Sequence, residues 1–128
     1  MTSPEPLKRI LVIEDDEDIL FAVTQLLELE GYEVSTATNG AIALDLLQQN
    51  ELPDLILLDM IMPVMDGWKF AAALHQKFGT CIPVLVMTAA ANAAERARDV
   101  GAAGWVPKPF KIEELIERIK EHSNGRKS

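Results

Sequence analysis

The sequence predicts an α/β fold: a doubly wound parallel sheet of five strands flanked by five helices. Three observations carry this. Apolar bursts of strand length alternate with amphipathic stretches along the chain. The bursts are nearly continuous in apolar residues, as strands covered by helices on both faces must be. Polar groups follow the bursts at their carboxyl ends, where open α/β sheets form their sites. At 128 residues, 48% hydrophobic and 25% charged, the chain has the make-up of one globular domain with a single core.

Taken in order, "RILVIED" (9–15) is the first strand. Ile19, Leu20, Val23, Leu26 and Leu27 then recur at helical spacing and stop at Gly31, a natural helix end. "YEVSTA" (32–37) is the second strand, and Ala43, Leu44 and Leu47 mark a helix entered through Thr38 or Asn39 as N-cap. "DLILLDM" (54–60) is the third strand; Phe70, Leu74 and Phe78 mark the next helix, closed by Gly79. "PVLVMTA" (83–89) is followed by an Ala-rich helix over 92–100 that ends at Gly101. "GWVPK" (104–108) is the weakest strand, and Pro107 removes a donor from it, which suits an edge. Ile112, Leu115, Ile116 and Ile119 form the last helix. Repeats, linkers and low-complexity tracts are absent, so residues 8–122 are expected to form the domain, with 1–7 and 123–128 as flexible tails. Parallel strands joined through helices imply right-handed crossovers.

Composition removes several classes of function. No apolar run approaches the ~20 residues of a membrane span. "MTSPEPLKR" lacks the apolar core of a secretory signal and Cys81 is alone, so a cytoplasmic location is expected. The formal charge of −8 argues against direct nucleic-acid binding, which takes clustered Lys and Arg, and is compatible with a cation ligand.

The carboxyl rim carries the chemistry. Strand one delivers Glu14, Asp15 and Asp16, strand three Asp59, strand four Thr88 and strand five Lys108. Carboxylates crowded at ~4 Å repel by about 1–4 kcal/mol per pair, depending on the local dielectric. An all-oxygen cluster without His or Cys favours Mg²⁺, which commonly takes one or two carboxylates and a phosphate oxygen. A hydroxyl and an ammonium opposite it suit a phosphoryl group, and a carboxylate can itself be the nucleophile, forming an aspartyl phosphate. Asp59 is at the centre of that rim.

Plainer roles stand beside these. Glu14, Asp15 and Asp16 could cap the first helix, where acids favour the dipole; for Asp16 the two readings stay open. Asp66-Gly67 reads as a turn and helix cap, His75 as a solvated helix residue and Cys81 as partly buried filling. Met60, Met62, Met65 and Met87 read as packing around the rim.

"LVIEDD", "LILLDMIMPVMDG", "VMTA" and "GWVPKPF", in that order and on those elements, resemble a response-regulator receiver domain, the CheY-like phosphoacceptor of two-component signalling. The likeness spans roughly residues 8–122. It implies the flavodoxin-like sheet with strand order 2-1-3-4-5. It also implies that Asp59 accepts the phosphoryl group. Asp15 would touch Mg²⁺ directly, Glu14 through water, and the Ile61 carbonyl would be the backbone ligand. Thr88 would bond a phosphoryl oxygen, and Lys108 would pair with that group or with Asp59. The implied partners are a histidine kinase or phosphotransfer protein, and a target reading the face of helix four, strand five and helix five.

Three departures from the family pattern matter. The switch aromatic, usually Tyr, Phe or His, is Trp105. The places that orient a hydrolytic water, two after the aspartate and two after the threonine, hold Ile61 and Ala90. The stretch after Thr88 is rich in small side chains. The expectation is therefore a phosphorylation-controlled switch, either stand-alone or part of a larger regulator. Two alternatives are a Mg²⁺-dependent phosphohydrolase with an aspartate nucleophile and an unphosphorylated interaction module. The first would want an acid where Ile61 stands, and the second has no need of the full acid, threonine and lysine set.

Overall fold

Strands as apolar as Leu55–Leu58 have to be covered on both faces, and the architecture does that. The computed structural model describes residues 9–49, 52–60, 62, 64–79, 82–88, 93–107 and 111–124. Its elements alternate without exception: β1 (Arg9–Ile13), α1 (Glu17–Leu29), β2 (Glu33–Ala37), α2 (Gly40–Gln49), β3 (Leu55–Asp59), α3 (Gly67–Phe78), β4 (Val84–Thr88), α4 (Ala93–Asp99), β5 (Gly104–Pro107) and α5 (Ile112–Asn124). The strands form one parallel sheet in the order β2-β1-β3-β4-β5. That is the flavodoxin-like order the resemblance implies, with β5 at an edge.

Strand side chains point alternately to opposite faces. Ile10, Val12, Leu55, Leu57, Leu85 and Met87 thus pack with Val23 and Leu27 of α1 and with Leu115, Ile116 and Ile119 of α5. Leu11, Ile13, Ile56, Leu58, Val84 and Val86 pack on the other face with α2, α3 and Ala97 of α4, around Leu44, Phe70 and Leu74. Every residue of β3 is buried. Each fully buried Leu or Ile contributes about 1.5–3 kcal/mol of transfer free energy, so β3 is costly to displace.

Local signals explain where the helices begin. Asp16 is the N-cap of α1, accepting from the N–H groups of Asp18 and Ile19 at 3.0 and 3.2 Å. Its open role is thereby a structural one. Asn39, not Thr38, caps α2, accepting from the Ile42 N–H at 3.0 Å. Asp66 caps α3, accepting from the Lys69 N–H at 2.9 Å. Gly79 follows α3 at φ +72°, a conformation that costs an L side chain but not glycine. β1 ends at Ile13 rather than 15, because the chain must turn out to reach the cap at Asp16. The Glu14 amide still donates to the Ala37 carbonyl at 3.0 Å.

Some apolar helical residues are poorly covered: on α1, Phe21 is 66% and Leu29 81% exposed, and on α2 Ile42 is 42% exposed. Among the described residues, no helix is long and apolar enough to cross a membrane.

Candidate functional site

Register brings the acids together. Ile13 of β1 pairs with Leu58 of β3, so one step further along these parallel strands Glu14 lies beside Asp59. Both continue the face of Val12 and Leu57, the side covered by α1 and α5. Asp15 follows in the turn to the α1 cap. One carboxylate oxygen from each of Glu14, Asp15 and Asp59 lies within 4.8 Å of the others. Glu14 is 1% and Asp59 5% exposed, whereas Asp15 is open to solvent. The Asp16 amide donates to Glu14 Oε2 at 3.1 Å, which holds that carboxylate in place.

Two buried carboxylates and an exposed third, with one oxygen of each within 4.8 Å of the others, fit a hard divalent cation: the donors are all oxygen and the exposed Asp15 leaves one side open to water or substrate. A shared cation removes the repulsion that such a cluster otherwise carries.

Of the other expected site residues, Thr88 closes β4, beside the Asp59–Met87 pair, and pairs in register with Pro107 of β5. Trp105 sits on β5 opposite Val86 and is 37% exposed. Ile61, Lys108 and Ala90 lie outside the described residues, as does Cys81. Met60, Met62 and Met87 are buried in the core, with Met65 partly so.

His75 departs from its reading as a solvated residue. It is half-buried and, with Trp68 and Asp99, lines a cleft of about 360 Å³ between α3 and the end of α4. The small side chains of Ala71 and Ala72 and the bare Gly101 leave that space open.

A charge signal also bears on the site. Between Arg9 and Lys69 there is no lysine, arginine or histidine, yet thirteen of the chain's twenty acids fall there. The net charge averages this away. The strand order gathers this segment into one lateral half, β2, β1 and β3 with α1 and α2. Within that half, burial first and the neighbouring Glu30 carboxylate second push the Tyr32 phenol above its ordinary value.

The sequence matches the response regulator receiver domain over residues 10–120. The chain belongs to that family. Among relatives, the response regulator MprA of Mycobacterium sp. (strain KMS) is 40% identical over 114 residues, covering 88% of this chain and 49% of that protein. The receiver thus spans about half the length of such relatives. A CheY-like receiver domain protein from Methanospirillum hungatei JF-1 superposes with a TM-score of 0.84 at 32% identity, covering 94% of this chain and 96% of that one. The response regulator TrrA from Thermotoga maritima, solved in complex with Mg²⁺–BeF, superposes with a TM-score of 0.80 at 32% identity, covering 90% and 98%.

Proposed function

We propose that this receiver takes a phosphoryl group on Asp59 from a histidine kinase or phosphotransfer protein, in a Mg²⁺-dependent reaction. The observation that carries the reading is the convergence of the Glu14, Asp15 and Asp59 oxygens within 4.8 Å at the carboxyl rim of the sheet. Glu14, Asp15, Asp59 and the Ile61 carbonyl would hold Mg²⁺. The positive charge it supplies when bound offsets the repulsion between a carboxylate cluster and an incoming phosphoryl dianion.

The chain's own groups then have distinct tasks. The buried Asp59 carboxylate attacks phosphorus, the bond from phosphorus to the donor's imidazole nitrogen breaks, and its electron pair leaves with the imidazole. Glu14, pinned by the Asp16 amide, fixes one side of the site. Thr88 and Lys108 would hold the transferred oxygens, and movement of Thr88 and Trp105 would alter the α4–β5–α5 face for a downstream target. In this reading residues 8–122 are the switch, working in the cytoplasm without contacting nucleic acid or membrane, and it is a phosphoacceptor rather than an enzyme acting on a separate substrate. It serves alone or within a longer regulator.

Acetyl phosphate tests this without a kinase. With Mg²⁺, intact-mass measurement should show one added phosphate, absent with EDTA and absent in Asp59→Asn. Unchanged labelling of Asp59→Asn overturns the assignment.

A further inference from the structure

Gly67 opens α3 and is buried. Its φ is not among the positive values, which belong to Gly31, Gly79 and Gly101. Backbone freedom therefore does not explain the glycine. At a helical position alanine would be favoured over glycine. What explains it is proximity. A Cβ built on Gly67 would lie 2.8 Å from the Met60 Cα and 3.1 Å from the Asp59 carbonyl oxygen, and 2.6 Å from the Met60 Sδ. The sulfur can swing away, but the backbone atoms cannot move without carrying the strand end with them. The Gly67 amide also donates to the Met60 carbonyl at 2.9 Å, so the helix start and the strand exit are tied at one point.

The other crowded glycine is of a different kind. The three atoms nearest to a Cβ at Gly40 are side-chain atoms of Met65 and Phe70, each at 3.0 Å. At Gly31 and Gly79 there is nothing within 4 Å. Of Gly31, Gly40, Gly67, Gly79 and Gly101, Gly67 alone has the peptide that carries Asp59 among its nearest neighbours.

We propose that Gly67 is a positioning residue for Asp59: by letting α3 touch the Asp59–Met60 peptide, it sets where the Asp59 carboxylate stands among Glu14 and Asp15. The proposal rests on the reading of these acids as a Mg²⁺ site. Magnesium demands near-ideal octahedral geometry, so a displacement of a few tenths of an ångström in one ligand weakens it. Groups that orient a metal ligand without touching the metal typically change affinity by about 10–100-fold.

The test compares Gly67→Ala with Leu74→Ala, a core truncation on the same helix, and with Gly40→Ala. Magnesium affinity is measured calorimetrically, and stability in EDTA by urea unfolding. Gly67→Ala should weaken Mg²⁺ binding by at least about tenfold. Leu74→Ala, although less stable, and Gly40→Ala should stay within about twofold of the wild type, as sites remote from the ligands do. In nitrogen–proton correlation spectra of the metal-free proteins, the Asp59 and Met60 amides should move in Gly67→Ala and not in Leu74→Ala. Wild-type protein that binds no Mg²⁺ overturns the site reading and this proposal with it. Wild type that binds while Gly67→Ala binds equally well, or loses affinity only in step with Leu74→Ala, overturns the positioning role alone. Gly67→Ala that stays unfolded even in sucrose, which favours the compact state, contradicts it as well, because the contact would then serve the fold rather than the acceptor.

Discussion

β3 and β5 lie in the same sheet two strands apart, yet they are built to opposite specifications. β3 is central, buried at every residue, and ends in Asp59. β5 is a four-residue edge strand whose Trp105 is 37% exposed, reached through a helix of seven residues where α1 has thirteen. Charge divides along the same line, with the base-free acidic segment on the β2-β1-β3 side. In the proposed reading this contrast suits two needs. The carboxylates that would share an ion are mounted where displacement would cost core packing, and the edge that would report phosphorylation is mounted where few neighbours hold it.

The sharpest way to break this comparison is by truncation on each side. Phe70, fully buried against the central strands, should lose about 3–5 kcal/mol of stability as Phe70→Ala. Trp105→Ala should lose less than about 1 kcal/mol, despite removing a larger side chain. Urea unfolding in EDTA measures both, and equal losses would show that the edge is as tightly built as the centre.

A smaller effect probes the acidic half. Asp15→Asn removes one charge from the three-carboxylate cluster at no cost in packing, since Asp15 is exposed. Without metal the variant should be more stable than wild type, by up to about 1 kcal/mol at a solvent-exposed separation of ~4 Å. With Mg²⁺ the order should reverse, because stabilisation by a ligand follows its affinity. Thermal unfolding in EDTA and in Mg²⁺ gives both results. A less stable metal-free variant would mean that the acids are not in mutual repulsion.

The smallest effect is optical. Beryllofluoride with Mg²⁺, standing in for the phosphoryl group, should change the tryptophan emission through Trp105 at the thin edge. The change should persist in Trp68→Phe and vanish in Trp105→Phe. A signal that follows Trp68 instead would move the reporting part to α3.

Much of the fold was legible in the residues because strand and helix periods are strong here. The runs at 10–13, 55–58 and 84–87 are apolar on both faces, and Gly31, Gly79 and Gly101 punctuate the helices that follow their patterns. Less legible was anything that depends on register. Periodicity places Glu14 and Asp59 at strand ends, but only the Ile13–Leu58 pairing makes them neighbours. Asp16 was equally open to capping and to chemistry, since both uses need an acid just there, and two backbone amides decide for capping. His75 carries no local sign of burial: the cleft it lines is made by Gly101 and Val100, which arrive from the far end of α4. Gly67, in an Asp-Gly pair, reads as a turn, and its contact with the Asp59–Met60 peptide exists only once α3 has packed. The base-free run from 10 to 68 is plain in the sequence, yet a net charge summed over the whole chain conceals it.

Of the three clustered carboxylates, Asp59 alone is the proposed acceptor of the phosphoryl group. Borohydride reduces an aspartyl phosphate to homoserine, which marks the acceptor permanently. After treatment with acetyl phosphate and Mg²⁺, then reduction, peptide mass mapping should find homoserine at position 59 and nowhere else. Reduced product at Asp15, a reduced glutamate at Glu14, or a phosphorylated protein with position 59 unmodified would contradict the account.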